Sequence, residues 1–172
     1  YMSTCGFGIC DNSAWPWIAG IVLLFVAFQG GCSGSTTGAI KVDRILIAFK
    51  AIGSEIRHRI RPNAVSQVKM SGHYLTDSSV HSVMIYIVTY MILIFISILA
   101  VMLCGSDALE AVSGVIASIG CVGPGLGELG AMDNYSAVPA MSKLIYAFDM
   151  FLGRVEIFPI LVVFSMIFRR GR

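Results

Sequence analysis

Two glycine-rich segments have the residue types that bind a monovalent cation through backbone oxygens. Residues 120–127 read Gly-Cys-Val-Gly-Pro-Gly-Leu-Gly, and residues 3–8 read Ser-Thr-Cys-Gly-Phe-Gly. Glycine allows an extended backbone to turn successive carbonyl groups toward one axis, where they can replace the hydration shell of an ion. The alternative interpretation of residues 120–127 is an outer loop with turn glycines.

A short helix is predicted immediately before the second segment. Asp107 stands three residues before Glu110, a capping-box spacing that opens a helix through about Ile119. At 1.5 Å per residue this helix is roughly 18 Å long, too short to cross a bilayer. A short helix followed by extended backbone is tolerated at membrane depth only where protein or a water-filled cavity surrounds it. The negative C-terminal end of the helix would then face the middle of the membrane, which favours a cation.

The composition places these segments in a membrane protein. Hydrophobic residues make up 56% of the 172 residues and charged residues 13%, and the mean hydropathy is +0.81. A net charge of +2 gives no indication of nucleic-acid binding. Three stretches are long enough to cross a bilayer: Trp17–Phe49, Val83–Leu103 and Ser142–Phe168.

The distribution of charge predicts the orientation of these spans. The connection from Gly105 to Met141 contains acidic residues and no lysine or arginine, so we expect it outside. Basic residues follow the first span and end the chain, so we expect both of those regions in the cytoplasm: Lys41, Arg44, Lys50, Arg57, Arg59, Arg61, Lys69, Arg169, Arg170 and Arg172. Isoleucines at helical spacing from Ile45 to Ile60 predict an amphipathic helix, either on the inner leaflet or as a docking face for a soluble partner.

The first span is interrupted at residues 30–38, which read Gly-Gly-Cys-Ser-Gly-Ser-Thr-Thr-Gly. A helix from Trp17 to Gln29 descends roughly 20 Å, and Arg154 lies at a similar depth, roughly 18 Å below Ser142. A buried arginine needs hydrogen-bond acceptors, and the buried carbonyls of a glycine loop need hydrogen-bond donors. Arg154 and the loop could therefore satisfy each other. The alternative is that a carboxylate such as Asp149 neutralises Arg154.

An internal repeat links the two glycine segments. Each has the pattern x-x-Gly-x-Gly and is followed by Asp-Asn, Ser-Ala, a proline and a membrane span. A repeat at about 120 residues indicates a unit of helix, re-entrant hairpin and helix, present here as one complete copy and the end of another. Because one and a half copies cannot surround a pore, we expect further copies elsewhere in a longer polypeptide or in other subunits.

These segments resemble the C-terminal part of TrkH/TrkG-type potassium uptake proteins, in the superfamily that includes KtrB and the fungal and plant Trk/HKT transporters. The segments that carry the resemblance are Ser3–Gly8, Gly30–Lys41, Gly123–Gly125 and Gly153–Ile157. The resemblance implies an all-α membrane protein built of M1-P-M2 repeats, each with a re-entrant pore helix and an extended filter strand. It assigns residues 1–50 to the end of repeat three, 51–80 to a cytoplasmic linker and 81–172 to repeat four. Within repeat four, M1 is 83–103, the pore helix 108–119, the filter 120–127 and M2 142–168.

The resemblance also implies which residues act on the ion. Filter carbonyls would come from Thr4, Cys5, Gly6, Cys121, Val122 and Gly123. An intramembrane gate would comprise Gly30, Gly31, Gly34, Ser35, Thr36, Thr37, Gly38 and Arg154. The sequence departs from the family at Cys5, where threonine is usual, and at Cys121, where asparagine is usual. K⁺ is then the transported ion, held by carbonyls alone, with no organic cofactor.

The same resemblance implies a homodimer in the bacterial inner membrane with a cytoplasmic C-terminus. It implies a TrkA-type nucleotide-binding regulatory subunit on the cytoplasmic face, with residues 41–69 as the contact, and contact with lipid but not with nucleic acid. Whether flux is passive or coupled to H⁺ or Na⁺ stays open, as does K⁺ over Na⁺ selectivity.

Three other classes compete with this interpretation. A phosphate-binding loop is disfavoured because Lys41 follows Gly38 by three residues, without the Gly-Lys-Ser/Thr order. A broken-helix secondary transporter of a small anionic solute is the main alternative, but it would be expected to point a helix N-terminus at its site. A membrane enzyme is disfavoured because His58, His73 and His81 fall in or beside the cytoplasmic segment, away from any serine that they could activate at membrane depth.

Overall fold

The computed structural model describes residues 3–6, 8, 15–35, 37–61, 69–70, 73–132, 134–136, 138–155, 159–160 and 166, with His73 and Glu128 described by their backbone alone. This part of the chain forms α1 (Trp17–Gln29), α2 (Val42–Ile60), β1 (Lys69–Met70), β2 (His73–Tyr74), α3 (Asp77–Leu103), α4 (Ala108–Ile119), a 3₁₀ turn (Gly127–Leu129) and α5 (Ala140–Val155). The structure is therefore mostly helical, with one antiparallel pair of two-residue strands inside the predicted linker.

The glycine run divides the first predicted span into two helices. Helix α1 ends at Gln29 because Gly30 takes a left-handed conformation, with φ of 66°. Helix α2 begins at Val42 and has no buried residue along its 19 residues. The predicted apolar face of α2 is exposed, with Ile52, Ile56 and Ile60 at 49–73%. The guanidinium of Arg44 lies 4.0 Å from the ring centre of Tyr86, which joins the start of α2 to α3.

Helix α3 is the spanning helix of the described structure. Its 27 residues give a length of about 40 Å, enough to cross a bilayer. It begins at Asp77, six residues before the predicted span. Among the described residues it alone is long and apolar enough to cross a membrane by itself, while α1 and α4 are shorter apolar helices.

Helix α4 lies at the centre of the packing. Asp107 caps it, accepting a hydrogen bond from the Leu109 amide at 3.4 Å, and the helix ends at Ile119. Seven of its 12 residues are buried, and it packs against α1, α3 and α5. The apolar core gathers around it from α3, α4, α5 and the connecting segments: Ile40, Tyr86, Tyr90, Ile94, Val101, Ala111, Val115, Ile119, Leu129, Val138 and Tyr146.

The chain that follows α4 returns alongside it. The Val122 amide donates to the Ala117 carbonyl at 2.9 Å. Four residues later the Leu126 carbonyl accepts a hydrogen bond from Ser113 Oγ at 3.4 Å, so the chain has travelled back toward the start of α4. The Gly125 amide then donates to the Leu129 carbonyl at 2.7 Å and closes the turn that leads out. Residues 108–129 therefore form a hairpin of one short helix and one returning strand.

Helix α5 is described from Ala140 to Val155. Most of the predicted third span beyond Val155 lies outside the described residues. The outward sides of α1, α3 and α5 are apolar and exposed, for example Phe25 at 61%, Phe95 at 64% and Leu144 at 66%. In a chain of this hydropathy such faces fit contact with lipid or with further protein.

Candidate functional site

The two predicted filter strands share an unusual backbone pattern. Cys121 and Gly123 have φ of 54° and 99°, and Thr4 and Gly6 have φ of 51° and 73°. In an ordinary strand the residues have negative φ and successive carbonyls point to opposite sides, so a positive φ at every second position departs from that pattern. Only four described non-glycine residues have positive φ, and two of these are Thr4 and Cys121. The other two, Ala39 and Lys41, are also two residues apart and follow the glycine loop, so the alternation is shared by the two predicted strands but is not confined to them.

The two strands also lie against each other. A Cβ atom added at Gly6 would lie 2.9 Å from the carbonyl oxygen of Val122 and 3.7 Å from Cδ of Pro124. A Cβ atom at Gly8 would lie 2.6 Å from Cβ of Ala131. Strands that are more than 100 residues apart in the sequence are thus neighbours, with no room for a side chain at Gly6.

Strand 121–123 is fixed on several sides. On the side of α4, the Cys121 amide donates to the Ser118 carbonyl at 3.0 Å. On the side of α5, the Cys121 thiol donates weakly to the Met150 carbonyl at 3.6 Å. At the end of the strand that is farther from α4, the Tyr135 hydroxyl donates to the Gly123 carbonyl at 2.7 Å. In the other strand, the described side-chain hydrogen bond is local, from the Cys5 thiol to the Ser3 carbonyl at 3.5 Å.

Glycines bring three segments to the C-terminal end of α4. A Cβ at Gly38 would lie 2.7 Å from the carbonyl oxygen of Ile119, and a Cβ at Gly153 would overlap the same oxygen. A Cβ at Gly120 would lie 2.9 Å from the carbonyl oxygen of Ala27 in α1. The end of α4 is therefore enclosed by α1, by the glycine loop and by α5, and side chains larger than hydrogen are excluded at each contact.

The glycine loop is held in shape by its own polar groups. The Gly31 amide donates to Thr37 Oγ1 at 3.1 Å, and the Thr37 amide donates to Ser35 Oγ at 3.2 Å. The Gly31 carbonyl accepts from the Val42 amide at 3.0 Å, which ties the loop to the first residue of α2. Gly30 and Gly38 are buried and Gly34 is exposed. Thr36 lies outside the described residues.

Arg154 lies in the last turn of α5 and is exposed in this chain. Its neighbour Gly153 and the loop residue Gly38 border the same carbonyl of Ile119, so the loop and the helix that carries Arg154 meet at one point. The alternative partner for Arg154, Asp149, accepts a hydrogen bond from Ser97 Oγ of α3 at 2.7 Å.

Two contacts were not predicted from the sequence. Tyr135 stands between the Asp-Asn and Ser-Ala pairs of the internal repeat, and its contact with Gly123 depends on how the loop before α5 folds back. Asp43 accepts a hydrogen bond from the Ser33 amide at 2.6 Å, so the first turn of α2 holds the middle of the glycine loop. An acidic residue in the first turn of a helix was the available signal, because such positions often accept backbone N–H groups.

The fold defines a class: a mostly helical protein with a helix long and apolar enough to cross a membrane, packed against a hairpin of a short helix and a returning strand. The family described as TrkH, cation transport protein, matches residues 1–172. The chain belongs to this family, which also makes it a membrane protein.

Individual relatives agree with this assignment. The chain is 35% identical over 168 residues to the Trk system potassium uptake protein TrkH of Escherichia coli K12, covering 98% of this chain and 34% of that protein. It is 38% identical over 168 residues to the TrkH protein of Halomonas elongata, with the same two coverages. These relatives are named as uptake proteins and not as enzymes. The chain spans about a third of the length of the curated relatives that it matches.

A solved structure supports the fold directly. The crystal structure of the potassium transporter TrkH from Vibrio parahaemolyticus matches with a TM-score of 0.78 and 34% identity, over 87% of this chain and 31% of that one. The predicted fold class, an all-α membrane protein of the Trk type, is therefore confirmed.

Proposed function

We propose that the full-length parent of this chain takes up K⁺ across the cytoplasmic membrane through a channel-like pore. The filter would include the carbonyls of Thr4, Cys5, Gly6, Cys121, Val122 and Gly123. The observation that carries the proposal is the matching backbone of the two strands, in which every second residue has positive φ. Carbonyls directed to one side are the ligands that replace the water of a dehydrating cation.

The polarity of α4 supports a cation rather than an anion. The strand 121–123 begins at the C-terminal end of α4, where the helix dipole is negative. A site for a small anion would gain more from the opposite end of the helix. Relatives named as potassium uptake proteins support K⁺ as the transported ion.

We further propose that the glycine loop, Gly30–Gly38, is a gate beneath the filter and that Arg154 holds it closed. Gly38 and Gly153 border the same carbonyl of Ile119, so a movement of the loop would also displace the helix that carries Arg154. Four of the nine loop residues are glycines and the other five have small side chains, which suits a segment that changes between two arrangements.

The gate is tested by replacing Arg154 in the full-length parent. Arg154→Ala should raise basal K⁺ flux, because the loop loses a donor that holds it closed. Arg154→Lys keeps the charge without the forked geometry and should give an intermediate flux. Flux is measured in proteoliposomes, with thermal unfolding of each variant as the control for folding. A fall in flux in a normally folded Arg154→Ala variant would rule out this role.

The cytoplasmic side of the proposal rests on α2. Its last turns carry Arg57 and Arg59, both exposed, and Arg61 follows directly. We propose that residues 41–69 contact a TrkA-type cytosolic regulatory subunit, and that the parent is a homodimer in the bacterial inner membrane with its C-terminus in the cytoplasm. Binding of the regulatory subunit to the parent in detergent, with and without charge reversal at Arg57, tests this contact.

The proposed function is tested by ion flux through the purified full-length parent in proteoliposomes. K⁺, Na⁺ and a small organic anion are compared under equal gradients, with protein-free liposomes as the control. K⁺ flux above Na⁺ flux is the expected result. Anion exchange without cation flux would instead identify a carrier of the broken-helix type, and the filter assignment would be wrong.

A further inference from the structure

Tyr135 contacts the filter from outside the hairpin. It lies between the 3₁₀ turn and α5, half-buried, and its hydroxyl donates to the Gly123 carbonyl at 2.7 Å. Its ring packs edge-on against Tyr146, with ring centres 5.8 Å apart at 77°. Tyr146 is 3% exposed, so the phenol of Tyr135 rests on a buried support.

The support of Tyr135 reaches the short helix. The Tyr146 hydroxyl donates to the Glu110 carbonyl in the first turn of α4 at 3.4 Å. A Cβ at Gly114 would lie 2.7 Å from the same hydroxyl, so this glycine provides the space for Tyr146 against α4. The position of the Tyr135 hydroxyl is therefore set by α4 and α5 together.

Gly123 has one other described hydrogen bond, from its amide to the Ala117 carbonyl at 3.5 Å. It has φ of 99°, and no described atom outside its immediate neighbours lies within 4 Å of the position that a Cβ would take. The amide bond holds the peptide plane before Gly123, whereas the Gly123 carbonyl belongs to the plane shared with Pro124, which has no N–H to donate. The hydrogen bond from Tyr135 is thus the described contact made by this carbonyl itself. A carbonyl oxygen has two lone pairs, so one can accept from Tyr135 while the other faces an ion.

The other strand is held differently. Gly6 borders the Val122 carbonyl directly, and the Asp-Asn pair of its own repeat is followed by Ser13 where Asp133-Asn134 is followed by Tyr135. The sequence therefore provides the phenol in one repeat and not in the other.

We propose that Tyr135 is a positioning residue of the filter: its hydroxyl sets the direction of the Gly123 carbonyl and thereby the discrimination between K⁺ and Na⁺. This inference rests on the proposed function. Discrimination depends on the number and spacing of the carbonyls that replace water, and a carbonyl that rotates freely can follow a smaller ion.

The test compares three tyrosine-to-phenylalanine variants of the full-length parent. Tyr135→Phe removes the donor but keeps the ring and its contact with Tyr146. Tyr146→Phe removes the neighbouring hydroxyl, which contacts α4 and not the strand. Tyr74→Phe is the surface control, because Tyr74 is 66% exposed in β2.

Tyr135→Phe should lower the K⁺/Na⁺ flux ratio about fivefold, the factor expected for one net hydrogen bond. K⁺ flux should persist, Tyr146→Phe should lower the ratio less than Tyr135→Phe because it removes only the indirect support, and the Tyr74→Phe control should keep the wild-type ratio. An unchanged ratio in Tyr135→Phe, or an equal fall in Tyr146→Phe, would overturn the inference. A wild-type parent without K⁺ selectivity would overturn the proposed function itself, so the two failures are distinguishable.

Discussion

The strands at residues 3–6 and 121–123 have the same alternation of backbone conformation but different supports. Strand 121–123 is bonded to α4 through its amides, to α5 through Cys121 and to the loop before α5 through Tyr135. For strand 3–6, the close contact that the structure describes is with its neighbour, at the Val122 carbonyl. Among the described residues, strand 121–123 therefore has the larger number of supports, and a change that moves Val122 should also displace Gly6.

The largest expected effect comes from removing the support behind strand 121–123. In Gly153→Ala the new methyl group would collide with the Ile119 carbonyl, two residues before Cys121, and α5 would have to move away from α4. Overpacking of this kind costs about 3 kcal/mol, so we expect a strong loss of folded protein. Thermal unfolding of the full-length parent in detergent measures this loss.

A glycine in another helix provides the matched control for that substitution. Gly53 lies inside α2, with no described atom within 4 Å of a Cβ. Gly53→Ala should stabilise the protein by about 1 kcal/mol through helix propensity alone. If Gly153→Ala were as stable as the wild type, the close contact between α5 and the end of α4 would be wrong.

The next prediction separates the two strands directly. Both glycines of the proposed filter have positive φ, so Gly123→Ala and Gly6→Ala should each cost about 1–2 kcal/mol of strain, with a loss of K⁺/Na⁺ discrimination. Gly6→Ala should lower the K⁺/Na⁺ flux ratio more than Gly123→Ala. Its methyl group would lie 2.9 Å from the Val122 carbonyl oxygen, whereas a methyl group at Gly123 would have no described atom within 4 Å.

Flux ratios of the two alanine variants in proteoliposomes measure this difference. A larger fall in ratio for Gly123→Ala than for Gly6→Ala would show that the two strands do not lie as close together as the structure places them. Equal effects would mean that backbone strain, and not the contact between strands, decides the outcome.

The sequence was sufficient to predict elements that are defined by local patterns. The limits of α1 follow from the apolar run after Pro16 and the glycines after Gln29, and α4 follows from the cap at Asp107 and the glycine at residue 120. The family resemblance identified the candidate strands because glycine spacing is retained when side chains change. For α3 the hydropathy pattern gave the apolar portion and missed the polar first turns, because Asp77, Ser78 and Ser79 are helical without being apolar.

Contacts between distant segments could not be predicted in the same way. Nothing local indicates that Gly38 and Gly153 meet at the Ile119 carbonyl, because three separate segments must first pack together. The contact of Tyr135 with Gly123 depends on the path of a loop that sequence patterns describe only as a turn. Such contacts have no periodic signal, since each is made by a single residue whose position is set by tertiary packing.

The smallest expected effect tests how far the support of strand 121–123 extends behind α5. Asp149 precedes Met150, whose carbonyl accepts a weak hydrogen bond from the Cys121 thiol. The side chain of Asp149 is 1% exposed, and its Oδ1 accepts a hydrogen bond from Ser97 Oγ. Its second oxygen, Oδ2, has no hydrogen-bond partner among the described residues. Asp149→Asn keeps the acceptor that Ser97 uses and the shape of the side chain, so it should cost under about 1 kcal/mol.

Ser97→Ala should be the more damaging change of this pair, because it leaves a buried acceptor without its donor, at a cost of about 1–3 kcal/mol. Thermal unfolding and K⁺/Na⁺ flux ratios of both variants show which of the two substitutions is the more damaging. If Asp149→Asn proved the worse, Oδ2 would have to carry an interaction with a part of the parent beyond the described residues. The support of strand 121–123 would then include that part as well as α3.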